Sequence, residues 1–140
     1  MKTLTMLFAA ILAAGCTHSG GPEASAQTRA QAAEDEAGLA AALSGRIAGP
    51  SQDCVDRRDL GGNKSYGKGV IVFSGRSDDM VYVNRPAVGC PGLTFGWAIK
   101  TRTTTTQLCR GDIVTFFDPA SGIEYGSCSL GEFTPYLRSR

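Results

Sequence analysis

The chain has 140 residues, enough for one domain and little more. Its 14 basic and 13 acidic residues nearly cancel, which disfavours nucleic acid or a bare anionic surface as an electrostatic partner, so no nucleic-acid partner is expected. Five cysteines and 18 glycines in so short a chain point to a loop-rich, cross-linked fold.

Lys2 precedes an apolar run, Leu4 to Ala14, and Ala13-Ala14-Gly15 sets small residues ahead of Cys16. A charged start, a short greasy core and a small-residue exit form the pattern of a secretory signal, too short to span a bilayer. The ending LAAGC resembles the lipobox of bacterial lipoproteins, in which the signal is removed before a cysteine that is then acylated. The leucine common three places before that cysteine is replaced here by Ala13, with Leu12 one place further back. The resemblance implies that residues 1–15 are a lipoprotein signal peptide and that Cys16 carries the lipid. Cysteine arithmetic agrees: an odd secreted cysteine needs a use, and the four that remain can pair. Acyl chains anchor durably, because each buried CH₂ is worth about 0.8 kcal/mol. Thr17, rather than aspartate, follows Cys16, which by analogy with lipoprotein sorting implies the periplasmic face of the outer membrane. The alternative is cleavage without lipid and a soluble periplasmic or secreted protein.

Residues 16–53 are expected to be the anchored tether. The segment is rich in Ala, Gly, Ser, Gln and Glu and lacks Trp, Phe and Tyr, so it has little apolar surface to offset its ordering entropy. Arg29 to Leu43 contains strong helix formers interrupted by Gly38, which predicts a frayed helix or a flexible spacer. The only histidine, His18, falls in this tether, so the folded part is expected to contain none.

Residues 54–140 read as short strands separated by turns. Val70 to Ser74 and Met80 to Asn84 flank a polar turn, Gly75 to Asp79, and predict a hairpin. Phe95, Trp97 and Ile99 alternate with small or charged residues, which predicts a strand with those three on a core face. The Thr103 to Thr106 run reads as the solvated continuation of that strand. Asp112 to Phe117 and Ile123 to Ser129 complete the set. The expected fold class is all-β, a small antiparallel sheet or barrel with two disulfides.

Cys54, Cys90, Cys109 and Cys128 lie 36, 19 and 19 residues apart, with no CxxC pair of the kind a structural zinc site uses, so no metal is expected. Four spaced cysteines in an oxidising compartment predict two disulfides. Of three possible pairings, the nested one is expected: Cys90–Cys109 inside Cys54–Cys128, which closes the central β segment and ties the first strand to the last.

The same stretch carries a resemblance. Cys90-Pro91-Gly92-Leu93 with Phe95, then Thr101, Thr103, Leu108-Cys109 and Asp112-Ile113, then Cys128, Leu130-Gly131, Phe133 and Pro135 resemble a family of small exported cysteine-containing proteobacterial proteins, a domain of unknown function. The resemblance implies export and the four-cysteine framework. It assigns no catalytic or binding residue.

A histidine-based hydrolase is disfavoured by the lack of a base beside any nucleophile. A glycosidase requires two carboxylates across a cleft, and most of the aspartates sit at turns. No catalytic residue and no cofactor are therefore expected. Arg110 and Asp112 could pair as a buried ion pair or at the surface. Candidate ligand-binding residues are Arg57 and Arg58, for an anion or sugar acid, with Tyr82, Trp97 and Arg102; Trp97 would serve as a stacking platform only in an open groove. The expected function is a lipid-anchored envelope protein with a binding or structural role, having the membrane as one partner through Cys16 and an envelope protein or glycan as another. The alternatives are a small inhibitor or ligand-binding module and, more remotely, a hydrolase working with carboxylates alone.

Overall fold

A computed structural model of the chain describes residues 22–95 and 97–139; the signal run, Cys16 and His18 lie outside the described residues. Helix α1 (Pro22–Leu43) is longer and firmer than the frayed segment expected from the sequence. Its run of Ala, Gln and Glu supplies propensity, and its C-terminal end gains a packing face. Leu39 and Leu43 rest on Val70, Val72 and Val83 of the sheet, beside Tyr66 and Tyr136. Gly38, read from sequence as a weak point, is where the helix meets the Tyr66 ring: a Cβ there would lie 2.8 Å from it. Gly45 in the left-handed region (φ 70°) stops the helix. Arg46 then hydrogen-bonds back to Ala42 O and across to Asp78 O and Asp79 O, so one guanidinium ties the helix end to a hairpin turn. Among the described residues no helix is long and apolar enough to cross a membrane.

The main sheet has five antiparallel strands in the order β1 (Arg46–Ala48), β10 (Phe133–Arg138), β5 (Met80–Asn84), β4 (Val70–Gly75) and β3 (Leu60–Tyr66). β4 and β5 are the hairpin predicted from alternation, pairing Phe73 with Tyr82 and Val72 with Val83. The sheet takes in Arg46–Ala48, so ordered β-structure starts inside the segment assigned to the tether. A three-stranded sheet, β6 (Ala98–Thr101), β8 (Ile113–Phe117) and β9 (Glu124–Ser129), packs across it, and β2 (Cys54–Asp56) pairs with β7 (Gln107–Cys109) at one end. The fold is thus all-β in its core, as expected, but the sheets form open layers and no closed barrel.

Both faces of the main sheet are used. Ile71, Phe73, Tyr82 and Phe133 meet Val114, Phe116 and Cys128 of the three-stranded sheet, with Val55 and Leu108 of the small pair closing the side. The Phe73 and Phe133 rings sit 5.8 Å apart at 48°. Each such side chain, fully buried, is worth about 1.5–3 kcal/mol. The opposite face carries the valines under α1.

The two disulfides are Cys54–Cys109 and Cys90–Cys128, with Cα atoms 4.0 and 5.5 Å apart. The number of bridges agrees with the sequence and the nested pairing does not. Nesting assumed that the segment between Cys90 and Cys109 closes on itself. Instead β6 pairs with β8, and β7 turns away to pair with β2, which sets Cys109 opposite Cys54. Cys90 is left beside Cys128 on β9, both buried in the main core. Such cross-links are consistent with an extracytoplasmic domain.

Three local expectations are also corrected. The strand expected from Phe95 begins only at Ala98, because Pro91–Phe95 winds into a 3-10 turn. Phe95 consequently points out of the core and is 68 % exposed. The threonine run is a bend, in which the Thr105 hydroxyl donates to Gln107 O at 2.9 Å and Thr105 N–H donates to the Thr103 hydroxyl at 3.2 Å. Arg110 does not pair with Asp112: it reaches Asp53 at 3.1 Å and Glu132 at 2.9 Å, while Asp112 accepts from Cys109 N–H across a turn.

Candidate binding groove

β3 pairs only with β4 and β6 only with β8, so each leaves one strand edge open. Between these two edges runs a groove in two compartments. The outer one, about 420 Å³, is lined by Asn63, Lys64 and Ser65 of β3 and by Trp97, Ala98 and Ile99. The inner one, about 230 Å³, shares Asn63 and Ile99 and adds Arg57, Leu60, Gly61, Thr101 and the core side chains Phe73 and Leu108 as an apolar floor. Ser65 closes toward the 3-10 turn through a long hydrogen bond from its hydroxyl to Leu93 O at 3.4 Å.

Trp97 stands in the wall as the middle member of a three-ring stack. Its ring lies 4.8 Å from Phe95 at 29° and 4.2 Å from Tyr125 at 12°. Offset stacking of this kind adds about 0.5–1.5 kcal/mol per pair beyond area burial. Phe95 and Tyr125 are exposed, while Trp97 is half-buried and packs against the main core, as its alternation with Ile99 predicts. Trp97 thus borders the groove, but with Phe95 on one side and Tyr125 on the other it presents its ring edge and no free face.

The charges around it divide into pinned and free. Asp56 caps the short turn Arg57–Asp59, and its carboxylate accepts from the Arg58 guanidinium and from Arg58 N–H at 2.9 Å. Those bonds hold the Asp56 carboxyl down to about 2. A depressed carboxyl contributes stability that is fully present above its unfolded value, about 3.9, and is lost as pH falls through about 2. Asp56→Asn should accordingly flatten the acid limb of a denaturation profile between these values and leave its neutral limb nearly unchanged, as urea titrations across the range would show.

Arg58 is thus committed, whereas Arg57, its neighbour on the groove, makes no ion pair among the described residues. The expected Arg57–Arg58 couple is split into one structural and one available cation. Arg102 is likewise held: with Lys100 it forks onto Glu124, at 3.1 and 3.3 Å, which keeps the Glu124 carboxyl below its usual range. Lys64 makes no ion pair among the described residues, and its ammonium rests 5.2 Å over the Tyr66 ring, a hold worth about 0.5–1 kcal/mol at an exposed site. Tyr82, proposed from sequence as a ligand contact, is instead a core residue, 8 % exposed, with its hydroxyl pushed up first by burial and then by Asp59. The structure brings Arg57 and Trp97 to one groove and leaves Arg58, Tyr82 and Arg102 outside it. Asn63, Ser65 and Thr101 join the site unannounced, because only the facing of two distant strand edges assembles them; Lys64 borders it too, but its side chain lies on the other face of β3, with Val72 and Tyr66.

Among the described residues lining either compartment there is no aspartate or glutamate. A carboxylate hydrolase requires two of them across its cleft. A larger hollow, about 760 Å³, lies elsewhere, under Ile47, Met80, Pro135 and Leu137. Its charged groups, Asp79 and Arg138, face each other at 3.9 Å, so it directs no unpaired polar side chain at a ligand.

No family model matches the chain, and no curated protein or solved structure matches it either.

Proposed function

We propose that this is a lipid-anchored protein of the bacterial cell envelope, held by acylated Cys16 at the periplasmic face of the outer membrane, whose β-domain binds a ligand in the groove between β3 and β6. The observation that carries the binding reading is the groove itself: two open strand edges, an apolar floor, the edge of Trp97 and the unpaired Arg57, with no aspartate or glutamate among its described lining residues. Concave sites with an apolar lining and a few convergent polar groups are the usual form of ligand sites. The same contrast favours a binder over the carboxylate hydrolase.

The anchor reading rests on the LAAGC ending and on the character of helix α1. From Glu23 to Glu34 the helix is exposed on every side, and only its last turns touch the sheet. That free length is about 18 Å at 1.5 Å per residue. A helix fixed to the domain at Arg46 acts as a stiff stalk, which suits a domain held away from a lipid surface. The test is fractionation of the full chain beside Cys16→Ser. The unaltered protein should sediment with membranes and leave them only with detergent, and the variant should pass to the aqueous fraction. Release of the unaltered chain by a salt wash alone would overturn the anchor.

A further inference from the structure

We infer that the groove takes the carboxyl-terminal end of a polypeptide, laid as an added strand along the open edge of β6, with its terminal carboxylate on Arg57 and its last apolar side chain on the floor of the inner compartment. This deepens the binding reading above and rests on it.

Three observations select that ligand. The first is the edge. An added strand needs a continuous ladder of N–H and C=O groups. β6 pairs with β8 from Ala98 to Thr101 without a register shift, and its other edge is unpaired. Its four residues offer about 13 Å of ladder at about 3.3 Å per residue. β3, across the groove, is the weaker template: its register slips between Leu60 and Asn63, and a bulge twists an edge away from strand addition. The outer compartment, about 420 Å³, lies against Ala98 and Ile99 of β6 and leaves room for the added strand.

The second is the chemistry of the inner compartment. The one charged group among its described lining residues is Arg57, which forms no ion pair among the described residues, whereas its neighbour Arg58 is neutralised by Asp56. Asn63 shares a sheet face with its register partner Phe73, so its amide stands on the groove side, and the Thr101 hydroxyl belongs to the same lining. Both can donate to a carboxylate oxygen. Phe73, Ile99 and Leu108 supply the apolar floor. A cation and two uncharged donors over an apolar floor match a group that carries a carboxylate and an apolar side chain on one carbon. The last residue of a polypeptide is such a group; an internal aspartate or glutamate is not.

The third separates a chain end from a chain that passes through. The inner compartment holds about 230 Å³, below the roughly 300–1,000 Å³ common for a whole small ligand, so it suits the end of something longer. It lies where β2 and β7 pair, and Arg57 N–H donates to Thr106 O at 2.9 Å, joining the turn after β2 to the bend before β7. A strand entering from the outer compartment meets that junction and ends there. It runs parallel to β6, because the outer compartment lies at Trp97 to Ile99 and the inner at Ile99 to Thr101.

The chain's single tryptophan, Trp97, borders the outer compartment, so its emission reports occupancy. The full chain in detergent would be titrated with acetyl-Ala-Val-Ala-Leu as the free acid, with its C-terminal amide, with two versions N-methylated at one or the other of the last two peptide nitrogens, and with N-acetyl-leucine. The free acid should shift the emission saturably. Amidation of the peptide and Arg57→Gln in the protein should each raise Kd by about tenfold, the effect of one charge-assisted hydrogen bond. Arg57 is exposed, so its variant should keep the urea midpoint. Of the two N-methylated peptides, one should bind about tenfold more weakly and the other nearly unchanged, because alternate N–H groups of a strand face its partner. Equal binding of acid and amide would overturn the terminal carboxylate. Indifference to both methylations, or N-acetyl-leucine binding as tightly as the tetrapeptide, would overturn the added strand. Each of those results leaves the groove a binding site; no response to any of the probes would overturn the binding reading as well.

Discussion

Alanine at both Cys90 and Cys128 is expected to lower the unfolding free energy by about 4 kcal/mol, the chain-entropy value for a bridge spanning 38 residues. Small domains are stable by about 5–15 kcal/mol in all, so the loss is a large fraction of what holds this one together. The entropy term is only part of the effect. Both cysteines belong to the main core, Cys90 with no exposure at all, and truncating them withdraws contacts from Phe116 and its neighbours. The Cys54–Cys109 bridge spans 55 residues and carries a similar entropic value, but it joins strands already paired in register and its cysteines are only half-buried. Urea titration of the two double variants should therefore place C90A/C128A below C54A/C109A. A non-reduced digest of the unaltered protein checks the premise: the Cys54 peptide should leave with that of Cys109, and a Cys54–Cys128 peptide would refute the pairing described here.

An element is legible in this sequence where neighbouring residues alone decide it. Met80–Asn84 matches its expected ends and Val70–Ser74 falls one residue short, because alternation, β-branching and a polar turn agree there. Leu60–Tyr66 carries no strand signal. Its Gly61, Gly62, Asn63 and Lys64 are poor strand formers, and pairing with β4 overrides them. Phe133–Arg138 is hidden because Pro135 argues against a strand, yet its carbonyl still accepts from Gly49 N–H at 2.8 Å. Phe95 has the period of a strand but not its place: the turn begun at Cys90-Pro91 ends only there, and its ring stacks on Trp97 at the surface, while Trp97 and Ile99 keep to the core face as their alternation predicts. The helix is understated by its sequence because its apolar contacts with the sheet reduce to Leu39 and Leu43, a face too narrow to register as amphipathic. As for the site, residue chemistry singles out Trp97 and Arg57 but also Tyr82 and Arg102. Burial and ion pairing, both long-range, separate the useful from the spent.

Asn84 is the position where a change of very few atoms should matter most. It ends β5 with no solvent exposure, donates from Nδ2 to Gly131 O at 2.7 Å and accepts from Gly131 N–H at 2.9 Å. Gly131 is itself buried in the link between β9 and β10, and any Cβ there would strike the Arg85 carbonyl. The link thus passes through a space that only glycine fits, and one amide side chain satisfies both of its backbone groups. Asn84→Ala strands a buried donor and a buried acceptor, each costing about 1–3 kcal/mol, so a loss of about 2–5 kcal/mol is expected. Asn84→Asp changes one group and makes the sharper test. The new carboxylate keeps the bond from Gly131 N–H but sets an oxygen against Gly131 O, where a donor used to be. Protonation restores the donor, so burial and the carbonyl together raise the folded pKa of this carboxyl above its unfolded value, about 3.9. The acid form is the one the fold prefers; the deficit should be smallest below that unfolded value and grow as pH rises above it until the folded pKa is passed. Urea unfolding of the two variants at pH 4 and pH 7 reads this directly, with a deficit that widens for the aspartate and stays level for the alanine. Equal widening in both would mean that the pH dependence lies elsewhere in the domain and that the amide clamp is not its source.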